Sequence, residues 1–172
     1  MIRRGHAAPA LFALILAASS AHAQGASFAA GVATAAGDLA NTAGAGYDLD
    51  LQVRTDRMLG PLGLRIDATY SHLSGKGGAS SIQFSSQTVG LVSDFGGMFF
   101  WTAGPGYYQS NSKSQLFGHT IVDQRSYLGA QFAVGMNVKL FRWDTFVELG
   151  AVKLFGGAAN NLYLPLRFGF RL

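Results

Sequence analysis

The segment LYLPLRFGFRL, residues 162–172, carries an apolar side chain at every second position: Leu162, Leu164, Leu166, Phe168, Phe170 and Leu172. Tyr163, Pro165, Arg167, Gly169 and Arg171 lie between them. A strict period of two puts the two sets on opposite faces of one β-strand. The chain stops where this strand stops. An unpaired strand edge is a template for aggregation, so a terminal strand is expected to be paired on both sides. A closed barrel, in which the last strand meets the first, satisfies that requirement.

The same period recurs upstream and predicts eight strands, at about 26–36, 46–56, 63–73, 81–93, 98–108, 127–140, 145–152 and 162–172. In the second, Tyr47, Leu49, Leu51, Val53 and Thr55 oppose Asp48, Asp50, Gln52, Arg54 and Asp56. In the third, Leu64, Ile66, Ala68 and Tyr70 oppose Arg65, Asp67, Thr69 and Ser71. The fourth is weaker, and its alternation suggests a register shift near Ser85-Ser86. The stretches GDLANTAGAG, SGKGGAS, QSNSKSQLFGHTIVDQRS and KLFGGAAN are long or polar connections; RMLGPLG, DFGG and FRWD are short. Alternating long and short connections are the habit of membrane-spanning barrels. The tyrosines fall at the long-loop ends and both tryptophans at the short-turn ends, which predicts aromatic girdles from Tyr47, Tyr70, Trp101, Tyr107, Tyr127 and Trp143.

The first residues differ in kind. MIRRGH is basic, AAPALFALILA is apolar but too short to span a bilayer, and Ala21-His22-Ala23 is a small-x-small site. Together they predict a secretory signal peptide over 1–23, cleaved before Gln24, and one barrel domain over 24–172. Removing Arg3 and Arg4 lowers the net charge from +4 to +2, and no basic cluster suits nucleic acid. There is no Cys, hence no disulfide framework and no thiolate metal site. No later segment has the roughly 18 consecutive apolar residues of a membrane helix.

A soluble lipocalin-like barrel would show the same alternation with its polarity inverted. The polar face argues against it, being rich in Gly, Ser, Thr and Gln rather than Lys and Glu. Its charges are Asp48, Asp50, Asp56, Asp67 and Glu148 against Arg54, Arg65, Lys139, Arg167 and Arg171. Equal numbers suit a closed interior where charges must be paired. A charge network of Asp48, Asp50, Arg54, Arg65, Asp67, Lys139, Glu148 and Arg167 is therefore expected inside. Gly104, Gly106, Gly135, Gly150 and Gly169 are expected to make room for its long side chains.

On FVELGAVKLFGG, LYLPLRFGFRL and FFWTAGPGYYQ, the chain resembles the small outer-membrane β-barrel family, relatives of OmpA, OmpX and OmpW. The carriers are Glu148 in the penultimate strand, Pro165, Leu166 and Gly169 in the last, and Gly104 and Gly106 in the fifth. The final residue departs from the family, with Leu172 where Phe is typical. The resemblance implies an eight-stranded antiparallel up-and-down transmembrane barrel in a bacterial outer membrane, in contact with its lipids. It also implies that Phe168, Phe170 and Leu172 are read by the outer-membrane assembly machinery. A monomer is expected.

No catalytic, cofactor or metal site is expected. In YSHLSG, Ser71, His72 and Ser74 loosely resemble the His-x-Ser of lipid A deacylases, but no acidic partner can be assigned. His119 suits a solvated loop residue, and Asp48 with Asp50 suit an ion-pair lattice better than a Ca²⁺ site. The expected function is a plugged barrel with a structural or surface-interaction role. The alternatives are a narrow channel or small apolar-solute passage, and a membrane-embedded lipid-modifying enzyme.

Overall fold

The computed structural model describes residues 23–76, 79–116, 119–156 and 161–172. Residues 1–22 of the expected leader and the side chains of Asp56 and His119 lie outside that description. Eight strands are present: β1 (Ala23–Gly37), β2 (Ala43–Leu59), β3 (Leu62–Gly75), β4 (Ala79–Phe95), β5 (Phe99–Leu116), β6 (His119–Leu140), β7 (Trp143–Phe155) and β8 (Asn161–Arg171). Each pairs antiparallel with its sequence neighbours, and β8 returns to β1 from Ser27↔Arg171 to Gly37↔Asn161. The sheet is therefore a closed up-and-down barrel. The terminal strand is stitched in to its last residue, where the Leu172 amide donates to the Ala26 carbonyl at 2.8 Å.

The three short connections follow β2, β4 and β6. Gly60, Gly96 and Gly97 take positive φ in the first two, a conformation that costs glycine nothing. Phe141 adopts φ 57° in the third, with its ring in the open. At the other end, Asp38–Asn41 form a short 3-10 helix, η1, between β1 and β2.

Two expectations need correction. The 109–126 stretch is not a loop: β5 runs on to Leu116, β6 begins at His119, and the two pair throughout. Nor does the register slip at Ser85-Ser86, because β3 and β4 pair without interruption from Leu62↔Ser93 to Ser74↔Ser81.

Candidate functional site: barrel interior and outer rim

The inward side chains form three storeys. In the middle one, two guanidinium groups meet four carboxyl groups, all buried. Arg65 grips Glu148 through Nη1 and Nη2 and donates Nε to Asp67 Oδ1 at 2.6 Å. Arg167 donates Nε to Asp48, and Nη1 to Asp50 Oδ2 at 3.0 Å and Glu148 Oε1 at 3.1 Å. Neutral donors satisfy the remaining carboxyl oxygens. Ser71 Oγ reaches Asp48 at 2.6 Å, Thr69 Oγ1 reaches Asp50 at 2.8 Å, and Gln52 Nε2 reaches Asp50 at 2.7 Å. Thr88 Oγ1 and Gln131 Nε2 both donate to Asp67 Oδ2, at 3.1 and 3.0 Å. Strand alternation builds this lattice: each group sits on the inward parity of its strand, so four strands, β2, β3, β7 and β8, deliver ionised ends to one level of an interior only wide enough for side chains.

The storeys on either side are apolar. On the short-turn side, Ala29, Val92, Phe100 and Phe146 pack together. Phe100 and Phe146 meet edge to face at 6.0 Å, and the Arg171 guanidinium lies 5.8 Å from each ring centroid. On the long-loop side, Leu73, Ile82, Phe84, Tyr108, Val152, Leu154 and Tyr163 fill the bore, with Leu39 of η1 folded in above them. Phe84 stacks on Tyr163 at 5.4 Å. The charges are thus held between two apolar layers, where an unpaired charge or polar group is most costly.

Three of the five glycines serve these rings, and none meets a charged chain. A Cβ on Gly135 would collide with the Phe100 ring, and one on Gly169 with the Phe146 ring. A Cβ on Gly106 would lie 2.7 Å from Tyr108 Cε2, and one on Gly150 would press on Pro165 at 3.0 Å. At Gly104 the obstacle is the backbone of β4.

The outward face is the reverse of the interior. Phe28, Val32, Leu49, Val89, Leu91, Leu128, Phe132, Val134, Leu149, Leu166 and Phe168 are all exposed. An apolar belt of this extent around a polar lattice fits a wall solvated by lipid. Tyr47, Tyr70 and Tyr107 rim it at the long-loop end, with the Tyr47 and Tyr70 rings 6.1 Å apart. Trp101 and Trp143 lie toward the short-turn end, Trp143 edge to face with Phe170 at 6.2 Å.

Solved structures share this fold. Neisserial surface protein A matches with a TM-score of 0.56 at 15% identity, covering 86% of this chain and 95% of that one. Ail, the attachment invasion locus protein of Yersinia pestis, matches at 0.60 and 14% identity, covering 86% and 98%. The chain has the fold of the small eight-stranded outer-membrane β-barrels. A second Ail structure, holding the heparin analogue sucrose octasulfate, matches at a TM-score of 0.56 and 14% identity, covering 86% and 99%. Neither a protein-family model nor a curated protein sequence matches the chain.

On this outer-membrane fold, the expected site residues separate. Asp48, Asp50, Arg65, Asp67, Glu148 and Arg167 come together in the lattice. Arg54 does not join it; it pairs with Asp94 near the short-turn rim. Lys139 is a correction: its side chain is 80% exposed and faces Asp144 at 3.8 Å, beyond the last β5–β6 pair, Phe99↔Met136, where β6 is paired with β7 alone. Tyr127 is another. It falls on the inward parity of β6 and packs against the upper apolar storey instead of joining a girdle. Phe168, Phe170 and Leu172 face outward, with Phe168 and Phe170 edge to face at 5.2 Å.

The YSHLSG stretch is divided by the wall of the barrel. Ser71 points inward to Asp48, whereas His72 points outward, its ring stacked on Tyr47 at 5.1 Å and 7°. Its Nδ1 lies 3.4 Å from Gln83 Nε2. Among the described residues, no cluster of His, Cys, Asp and Glu is arranged to hold a metal ion.

Beyond the rim, β5 and β6 continue as a ribbon. β7 pairs with β6 only from Leu128↔Phe155 onward, so among the described residues the 119–127 stretch of β6 is paired on one edge alone. At about 3.3 Å per residue this stretch reaches about 30 Å along the strand. Ile121 and Val122, consecutive and therefore on opposite faces, are both exposed there.

Proposed function

We propose that the chain is an integral protein of a bacterial outer membrane, exported by a cleaved leader over residues 1–23, whose barrel is a sealed, non-enzymatic support for a surface-interaction role. The observation that carries this is the order of the interior: a paired charge lattice enclosed by an apolar storey on each side. A conducting pore needs a continuous polar path, and Leu39, Phe84, Tyr108 and Tyr163 at one end and Phe100 and Phe146 at the other interrupt it. Catalysis is not supported by the Ser71–His72 pair, whose members point to opposite sides of the wall.

The interaction role is supported by the β5–β6 ribbon. It carries a one-sided strand edge and two exposed aliphatic side chains out beyond the aromatic rim, where a barrel with only a structural duty has no use for them. Planar-bilayer recording tests the sealed interior: the refolded protein is expected to insert without discrete conductance steps. Reproducible steps that persist after purification to a single barrel species would replace the sealed barrel with the narrow channel. Surface proteolysis of intact cells tests the ribbon, which is expected to be cut within 110–126 while the barrel remains protected.

A further inference from the structure

On the outward wall of β5 to β7, Ala103 pairs with Phe132 and Phe132 with Ala151, while Ala130 lies one step above. The three alanines leave a shallow groove of about 530 Å³, with Lys153 and Leu162 at its upper end. Lys153 is the one Lys, Arg, Asp or Glu among the described residues that faces outward from the strands between the two aromatic rims. No described residue pairs with it.

The depth of Lys153 is fixed by the strand it sits on. Trp143 marks the short-turn interface, and Lys153 is ten residues further along the same outward face of β7. Ten residues at about 3.3 Å, on a strand tilted by about 40°, rise about 25 Å, the height of the apolar band. The ammonium group therefore lies at the outer interface, with its stem against the hydrocarbon and its charge at headgroup level.

We propose that the groove seats one phosphorylated, multiply acylated lipid of the outer leaflet, its phosphate on the Lys153 amine and one acyl chain over Ala151, Ala130 and Ala103. The inference rests on the outer-membrane reading above. An ammonium is a compact point charge suited to phosphate. A second copy of the chain is a poorer occupant, because the same outward wall offers no carboxylate to meet Lys153 among its described residues. The alanines matter as much as the charge: larger side chains would fill the track that an acyl chain needs.

Native mass spectrometry of the refolded barrel, titrated with hexa-acylated diphosphoryl lipid A, tests this. The wild type and Lys153→Arg are expected to retain one lipid per barrel. Lys153→Gln should weaken retention about fivefold, the effect expected for one surface cation. Dephosphorylated lipid should bind the wild type as weakly, Ala151→Phe should also lose retention, and excess inorganic phosphate should not displace the lipid. Heat-modifiable gel mobility in bilayers confirms that each variant is a folded barrel. A wild type that never enters bilayers would refute the outer-membrane reading instead. Equal retention by Lys153→Gln and Ala151→Phe, release by inorganic phosphate, or barrel dimers in place of lipid adducts would each overturn the groove.

Discussion

Removing Arg65 should cost more than removing Glu148, and the difference follows from the stoichiometry of the lattice. Glu148 accepts from both terminal nitrogens of Arg65 and from Arg167. Its removal orphans Arg65 Nη1, yet leaves three carboxyl groups for two guanidiniums. Arg65→Ala instead leaves four carboxyl groups around Arg167 alone, and takes away the Nε donor of Asp67 as well. Breaking a buried pair by deleting one partner costs about 3–5 kcal/mol. Glu148→Ala should fall near the lower figure and Arg65→Ala at or above the upper one. Lys139→Ala, which removes a solvent-exposed partner of Asp144, should cost about 0–1 kcal/mol. Urea unfolding in lipid vesicles, followed by the fluorescence of Trp101 and Trp143, gives all three numbers. If Arg65→Ala costs no more than Lys139→Ala, the polar face is solvated and the barrel is inside out. If Glu148→Ala costs more than Arg65→Ala, the acid-rich stoichiometry does not govern the site.

Gly135→Val and Gly169→Val should each overpack a phenylalanine ring and lower stability by about 1–3 kcal/mol, and Phe100→Leu should partly restore the Gly135→Val variant in the same unfolding assay. The mature protein should begin at Gln24, as intact mass of protein from envelopes would show; a species retaining Met1 would contradict the leader. Leu172→Asp should lower the amount of protein at the cell surface several-fold. Its cost to the refolded barrel should be only about 0–1 kcal/mol, since it lies near an interface; equal surface levels would mean that the terminal strand is not read during insertion.

The barrel was legible because its wall has one polar and one apolar side, and a period of two records which is which. Residues 47–54 of β2, 64–71 of β3 and 164–171 of β8 show this directly, and the six members of the lattice all lie on the predicted parity. The sequence misled where polarity changes along a strand. In β4 the inward set passes from Thr88 and Ser86 to Phe84 and Ile82, while the outward set passes from Val89 to Gln87, Ser85 and Gln83. That inversion mimics a register slip. Physically the inward set joins the upper apolar storey while the outward set turns polar, which on the proposed membrane reading is where the strand leaves the lipid. The β5–β6 ribbon was hidden for the same reason: solvated on both faces, it has no alternation to display. Leu39 carried no periodic signal at all, because it comes from a single turn of helix and is buried only by the neighbours that the closed barrel supplies.

The most direct test of a lipid-solvated barrel with a sealed interior uses the absence of cysteine from the chain. A single thiol placed at Ala133 faces the bore, and one at Val134 faces outward, on the same strand and at the same depth. Both variants are folded into bilayers and exposed to a charged, water-soluble thiol reagent and to a membrane-soluble one. The expected result is that Val134→Cys reacts only with the membrane-soluble reagent and Ala133→Cys with neither until the barrel is unfolded. Labelling of Ala133→Cys in the folded state by the charged reagent would show an open aqueous bore, and labelling of Val134→Cys by that reagent would show a wall that faces water.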